Sequence, residues 1–215
     1  MERLSEKPLQ TDGRPEMRWA TGEREPLTFE GAPKIMGVLN LTPDSFYDGG
    51  RLNDVGRAVE YAERMADEGA DLIDVGGEST RPGASPVSAR EEAARVVPVI
   101  RKLAHRLGPQ TVISVDTYKA AVARRAVEAG VGVINDVSAG AMDREMFETV
   151  AELGVGYVIM HMRGEPRSMQ MDTEYRDMMA EIYEFFESSL ERARAAGIER
   201  EKIVLDPGIG FGKSA

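Results

Sequence analysis

Short apolar runs alternate along this chain with longer stretches in which apolar residues recur every three or four positions. The runs at 35–39, 72–75, 112–115, 131–134, 157–160 and 203–205 have the length and branched-residue content of strands buried on both faces. Between them, 54–68, 88–107, 118–129, 144–153 and 177–196 carry the helical period. In the first of these, Val55, Ala58, Val59, Ala62, Met65 and Ala66 fall on one face. Gly69, Gly130, Gly154 and Gly197 each close a helical stretch just before a strand. Ser88 stands three residues before Glu91, the spacing of a capping box. Asp54 and Asp143 read as plain helix caps.

Helix, stop and apolar strand in strict repetition belong to an α/β protein with a parallel sheet. No strand is followed by the glycine fingerprint of a dinucleotide fold, so a (β/α)8 barrel and a doubly wound sheet both fit the pattern. The chain divides into an N-terminal extension, residues 1–33, and a barrel-type domain, residues 34–215. Within the extension, 17–20 and 26–29 can pair as a hairpin, with Trp19 and Phe29 covering something apolar.

Composition narrows the function. With 42% hydrophobic and 30% charged residues among 215, the chain can bury a full core. A net charge of -10 argues against nucleic acid or an anionic membrane as partner, because phosphate surfaces require basic patches. The absence of cysteine removes disulfides, thiolate metal sites and cysteine nucleophiles. Two histidines, His105 and His161, are too few for a multi-histidine zinc site. No run approaches a membrane span and the first residues are charged, so a cytoplasmic location is expected.

The candidate chemistry sits after the strands. The first run breaks into Asn40-Leu41-Thr42-Pro43-Asp44-Ser45-Phe46, a loop with an amide, hydroxyls, an acid and an aromatic. The second runs through Asp74 into Gly76-Gly77-Glu78-Ser79-Thr80-Arg81-Pro82-Gly83. The others end at Asp116-Thr117, Asn135-Asp136, Met160-His161-Met162-Arg163 and Asp206-Pro207-Gly208. In a barrel these ends ring one mouth. Carboxylates and amides converging there suit a flat heterocycle rich in N–H donors and ring nitrogens. Asn40 offers an oxygen suited to Mg²⁺, which prefers few protein ligands plus water and phosphate. Arg81 and Arg163 are the cations nearest the expected mouth. His161, alone at a strand end, reads as a packed or hydrogen-bonding histidine rather than an acid–base catalyst.

These motifs, with Pro166 and Ile209-Gly210-Phe211-Gly212-Lys213, resemble those of the dihydropteroate synthase family, in the same order from about residue 35 to the end. The resemblance implies a (β/α)8 TIM barrel, of which about six βα units are present. It implies condensation of (7,8-dihydropterin-6-yl)methyl diphosphate with 4-aminobenzoate, giving 7,8-dihydropteroate and diphosphate. It also implies Mg²⁺ on Asn40 and a homodimer. Asp116, Arg81 and Asp44 are then the catalytic candidates. Thr80, Asp116, Asn135, Met160 and Asp206 are the candidates for the pterin and diphosphate, and Ser79, Pro82 and Phe211 for the aminobenzoate. The loops 40–51 and 77–87 are expected to close over the substrates.

The family's barrel has eight strands, with a Lys after the seventh and an Arg-x-His after the eighth. Neither is present here, and Lys213 is not that lysine. The 215-residue polypeptide alone is therefore expected to be poorly soluble and to have little or no activity. A soluble, active preparation of that mass would refute this. Two alternatives stand beside the synthase: a pterin-binding protein without activity, and a relative of methyltetrahydrofolate methyltransferases.

Overall fold

The computed structural model describes residues 17–22, 25–29, 32–42, 51–79, 85–164 and 173–213, with backbone alone for 51–54. Two short strands, β1 (Met17–Trp19) and β2 (Leu27–Phe29), form an antiparallel ladder in which Trp19 faces Leu27. Six strands then build one parallel sheet: β3 (Met36–Asn40), β4 (Leu72–Gly76), β5 (Val112–Asp116), β6 (Val133–Asp136), β7 (Gly156–Met160) and β8 (Ile203–Asp206). The connecting helices are α1 (Arg51–Asp67), α2 (Ala89–Arg106), α3 (Ala120–Glu128), α4 (Met146–Leu153) and α5 (Met178–Ala196).

Spatial order equals sequence order, from β3 to β8, and every ladder is parallel. A doubly wound sheet reverses its order part-way and carries helices on both faces. Here the outward residues Ile73, Val75, Ile113, Val115, Ile134, Tyr157 and Ile159 share one buried cluster with Ala58, Val59, Val96, Ile100, Val122, Ala126, Met146, Phe147 and Ala193. All five helices thus contribute to one face. Crossovers of one hand, always stepping the same way, produce this arrangement. The described residues comprise five successive βα units and a sixth strand of a (β/α)8 barrel.

The concave face has its own core at the end where the strands begin. Leu72, Val112, Val133 and Val158 meet Trp19 and Leu27, with Phe29, Met36 and Val204 partly buried around them. The hairpin is therefore the plug of the barrel's lower end. It is held by Trp19 Nε1–H donating to Lys202 O at 2.9 Å and by Ala20 N–H donating to Glu201 O at 2.9 Å.

Helix ends follow the local chemistry. Ser88 Oγ accepts from Glu91 N–H at 3.2 Å, and Asp177 Oδ1 accepts from Ala180 N–H at 3.1 Å. One expectation needs correction and one is extended. Helix α1 begins at Arg51, so Asp54 lies in its first turn rather than before it. An acid is favoured there by the helix dipole, so the signal was right and its register was not. Asp143 caps two segments: Oδ1 accepts from Glu145 N–H at 3.0 Å, and Oδ2 accepts from Ala120 N–H at 2.9 Å. The second bond satisfies the start of α3, where Lys119 offers no side-chain cap.

Candidate active site

Register decides which side chains enter the barrel. Across the ladders, Asn40 pairs with Gly76, Gly76 with Asp116, Asp116 with Asn135, and Met160 with Asp206. All lie on the face that carries Leu72, Val112 and Val133 two or more residues earlier, because side chains alternate with period two. The strand ends therefore bring Asn40, Asp116, Asn135, Met160 and Asp206 to one mouth.

Gly76 is what allows the first two to approach. A Cβ there would sit 3.2 Å from Asn40 Oδ1 and 3.5 Å from Asp116 Oδ2. Asp116 Oδ1 is buried and makes no hydrogen bond, which is costly unless a ligand donor completes it. Burial pushes the Asp116 carboxyl well above the usual range, and the nearby acids Asp74, Glu92, Asp136 and Glu78 add to the rise.

Asp74 lies one layer deeper. It was expected at the strand end, but β4 continues to Gly76, which leaves Asp74 buried in the barrel floor. Its Oδ1 accepts from Ser114 Oγ–H at 2.6 Å and its Oδ2 from Asn135 Nδ2–H at 2.9 Å. Burial raises its pKa, while these two bonds oppose the rise.

Asp206 Oδ1 accepts from Gly208 N–H at 2.7 Å. Gly208 has φ +62, and a Cβ on it would lie 2.1 Å from His161 O, so only glycine fits this turn. Lys213 Nζ donates to three carbonyls: Gly208 O and Phe211 O at 3.0 Å, and His161 O at 3.2 Å. This clamp joins the loop after β7 to the loop after β8 and fixes the backbone of Phe211. Burial lowers the Lys213 pKa, and Asp206 opposes the fall.

The remaining candidates divide. Ser79 lies just beyond β4 and is half-buried. Asp44, Thr80, Arg81 and Pro82 lie outside the described residues, as do most of the two loops expected to close. Arg163 is engaged by the segment leading into α5: its Nη1 donates to Glu174 O, it pairs with Glu181 at 3.9 Å, and its guanidinium stacks over Tyr175. His161 is buried, with Phe185 edge-on at 4.8 Å and Nδ1 making no hydrogen bond. Burial, then the Lys213 charge, lowers its pKa.

Asp136 points to the opposite face from Asn135. It accepts from Ser138 N–H and Oγ–H, Gly140 N–H and Tyr157 Oη–H, and so holds the loop after β6. Glu78 turns away from the mouth as well. It accepts from Tyr118 Oη–H at 2.8 Å and pairs with Lys119, which also pairs with Glu92. Burial alone would lower the Lys119 pKa; its bonds to Glu78 and Glu92 outweigh that and raise it.

Among the described residues no three His, Cys, Asp or Glu side chains gather to hold a metal. Asn40 is exposed at the mouth beside Asp116. A single amide oxygen with open surroundings suits Mg²⁺ that takes its other ligands from water and phosphate.

The sequence profile described as pterin binding enzyme matches residues 36–215. The chain belongs to that family. Dihydropteroate synthase from Escherichia coli K12 is 46% identical over 182 residues, 85% of this chain and 64% of that protein. The Synechocystis dihydropteroate synthase is 44% identical over 181 residues, 84% of this chain and 62% of that protein. The chain thus spans somewhat under two thirds of these curated relatives. A Xanthomonas albilineans dihydropteroate synthase solved with 4-aminobenzoic acid superposes with a TM-score of 0.83 at 44% identity, covering 93% of this chain and 69% of that one. The Yersinia pestis dihydropteroate synthase solved with a sulfonamide drug gives 0.81 at 46% identity, covering 92% and 70%. No helix among the described residues is long and apolar enough to cross a membrane.

Proposed function

We propose that the protein is a dihydropteroate synthase that joins (7,8-dihydropterin-6-yl)methyl diphosphate to 4-aminobenzoate. The observation that carries this reading is the meeting of Asn40, Asp116, Asn135, Met160 and Asp206 at one barrel mouth in a pterin-binding family member. The reading includes Mg²⁺, a homodimer and a cytoplasmic location.

Each residue has a physical role in this scheme. Asp206, with one oxygen held by Gly208 N–H, accepts paired N–H groups from the amino-amide edge of the ring. Asn135 hydrogen-bonds the same ring, and Met160, buried beside Gly208, packs on its face. Ser79, Phe211 and Pro82 border the aminobenzoate. Thr80 and Arg81 hold the diphosphate, and Asp44 belongs to the loop that completes the site. Asn40 would hold Mg²⁺, which when bound neutralises charge gathering on the departing diphosphate. The bond from the methylene carbon to the diphosphate oxygen breaks, the amine nitrogen of aminobenzoate bonds to that carbon, and the amine loses a proton. The unpartnered Asp116 Oδ1 favours the positive charge that spreads over methylene and ring.

The deciding experiment follows diphosphate release from the full-length protein. Release that requires both pterin diphosphate and 4-aminobenzoate, and yields dihydropteroate, supports the synthase. Binding of the pterin without release points to a binding protein. Methyl transfer from methyltetrahydrofolate points to the methyltransferase relative. Either of these last results refutes the proposal.

A further inference from the structure

The barrel floor contains a buried carboxylate that the reaction scheme leaves unused. Asp74 lies below the mouth on β4, with Ser114 beside it on β5 and Asn135 within reach on β6. An ionised carboxylate only accepts hydrogen bonds. One of its oxygens, Oδ1, already accepts a hydrogen bond from the Ser114 hydroxyl. The other faces the Asn135 amide, and of that amide's two ends only the NH₂ can face an acceptor. The two ends have nearly the same shape, so packing alone would not choose between them.

We propose that Asp74 is a positioning residue that sets the hydrogen-bond polarity of the floor: by accepting from Asn135 Nδ2, it leaves Asn135 Oδ1 as the acceptor for a ligand N–H. This deepens the synthase reading and rests on it for the identity of the ligand. A reversed amide would set its N–H against the ring's N–H. A polar site mismatched in that way rejects its ligand far more strongly than a misfitting apolar one. The floor therefore selects a heterocycle with a donor at this edge, and the selecting residue makes no contact with it.

The test reverses the direction of the pair. In the full-length protein, titrate 7,8-dihydropterin against wild type, Asn135→Asp, the double variant Asp74→Asn with Asn135→Asp, Asp74→Asn alone, and Asp74→Leu. Asn135→Asp sets two carboxylates face to face and should weaken binding at least 30-fold. Adding Asp74→Asn supplies an NH₂ toward residue 135, whose other oxygen still faces the ligand. Affinity should return to within about 5-fold of wild type. Asp74→Asn alone should stay within 5-fold, since its carbonyl still accepts from Asn135 while its NH₂ reaches Ser114. Asp74→Leu, which removes the acceptor without adding charge, should weaken dihydropterin binding at least 10-fold and leave KM for 4-aminobenzoate within 2-fold.

A double variant no better than Asn135→Asp, or Asp74→Leu binding like wild type, overturns the proposal. Wild type that fails to bind dihydropterin overturns the synthase reading instead. Ligand-free melting then judges the pair: Asn135→Asp must lower the melting temperature and Asp74→Asn must restore it, or the assigned direction is wrong.

Discussion

Replacing Lys119 by Met tests the buried charge cluster behind the mouth. Lys119 pairs with Glu78 and Glu92, and the three side chains are 15%, 12% and 1% exposed. The cluster carries a net charge of minus one, and Glu92 Oε1 already lacks a hydrogen bond. Without the lysine, Glu78 can turn part-way to water, but Glu92, at 1% exposure, keeps a buried charge with no partner. Breaking a buried pair from one side costs about 3–5 kcal/mol. Urea unfolding should therefore show the variant less stable than wild type by about that amount. The triple variant Lys119→Met, Glu78→Gln, Glu92→Gln should recover most of it, since no buried charge remains. A deficit below about 1 kcal/mol, or a triple variant no more stable than Lys119→Met, would refute the reasoning.

Three further outcomes are expected. Asp116→Asn should lower kcat by about 100-fold or more, in line with losing one preorganised charge contact; near-normal turnover with unchanged pterin affinity would end its electrostatic role. Because burial raises the Asp116 pKa, kcat/KM should increase with pH through a step above the usual carboxylate range, and Asp116→Asn should abolish that step. Gly208→Ala should destabilise the fold by about 2 kcal/mol or more, since it adds left-handed strain to a 2.1 Å clash with His161 O. Thermal unfolding measures this, and an unchanged melting temperature would contradict the fit.

Most of the architecture was legible because two periods alternate cleanly. The strand starting at Leu72 and the helix closing at Gly197 could be bounded within a residue by where the period changes. The choice between barrel and doubly wound sheet was not legible, because strand order depends on contacts between segments far apart. Asp74 and Ser114 were missed as partners for the same reason. Each stands third in its strand, and only the ladder pairing Leu72 with Val112 sets them side by side. Asn135 and Asp136 looked like one motif, but alternation sends them to opposite faces. Glu78 and Lys119 looked like loop and helix-start residues; their pairing spans 41 positions and leaves no local trace.

The plug has a consequence for how the chain comes together. Trp19 donates to Lys202 across 183 positions, so the hairpin is fastened only when a segment made much later is present. On the ribosome, at about 5–20 residues per second, the hairpin waits roughly 10–40 s after its own synthesis before its acceptor exists. Until then the indole N–H lacks its acceptor, and the cover that Trp19 gives Leu72, Val112 and Val133 is not yet fastened. A chaperone that recognises apolar surface would find its target at that stage, and the docking of Trp19 would mark the moment of release.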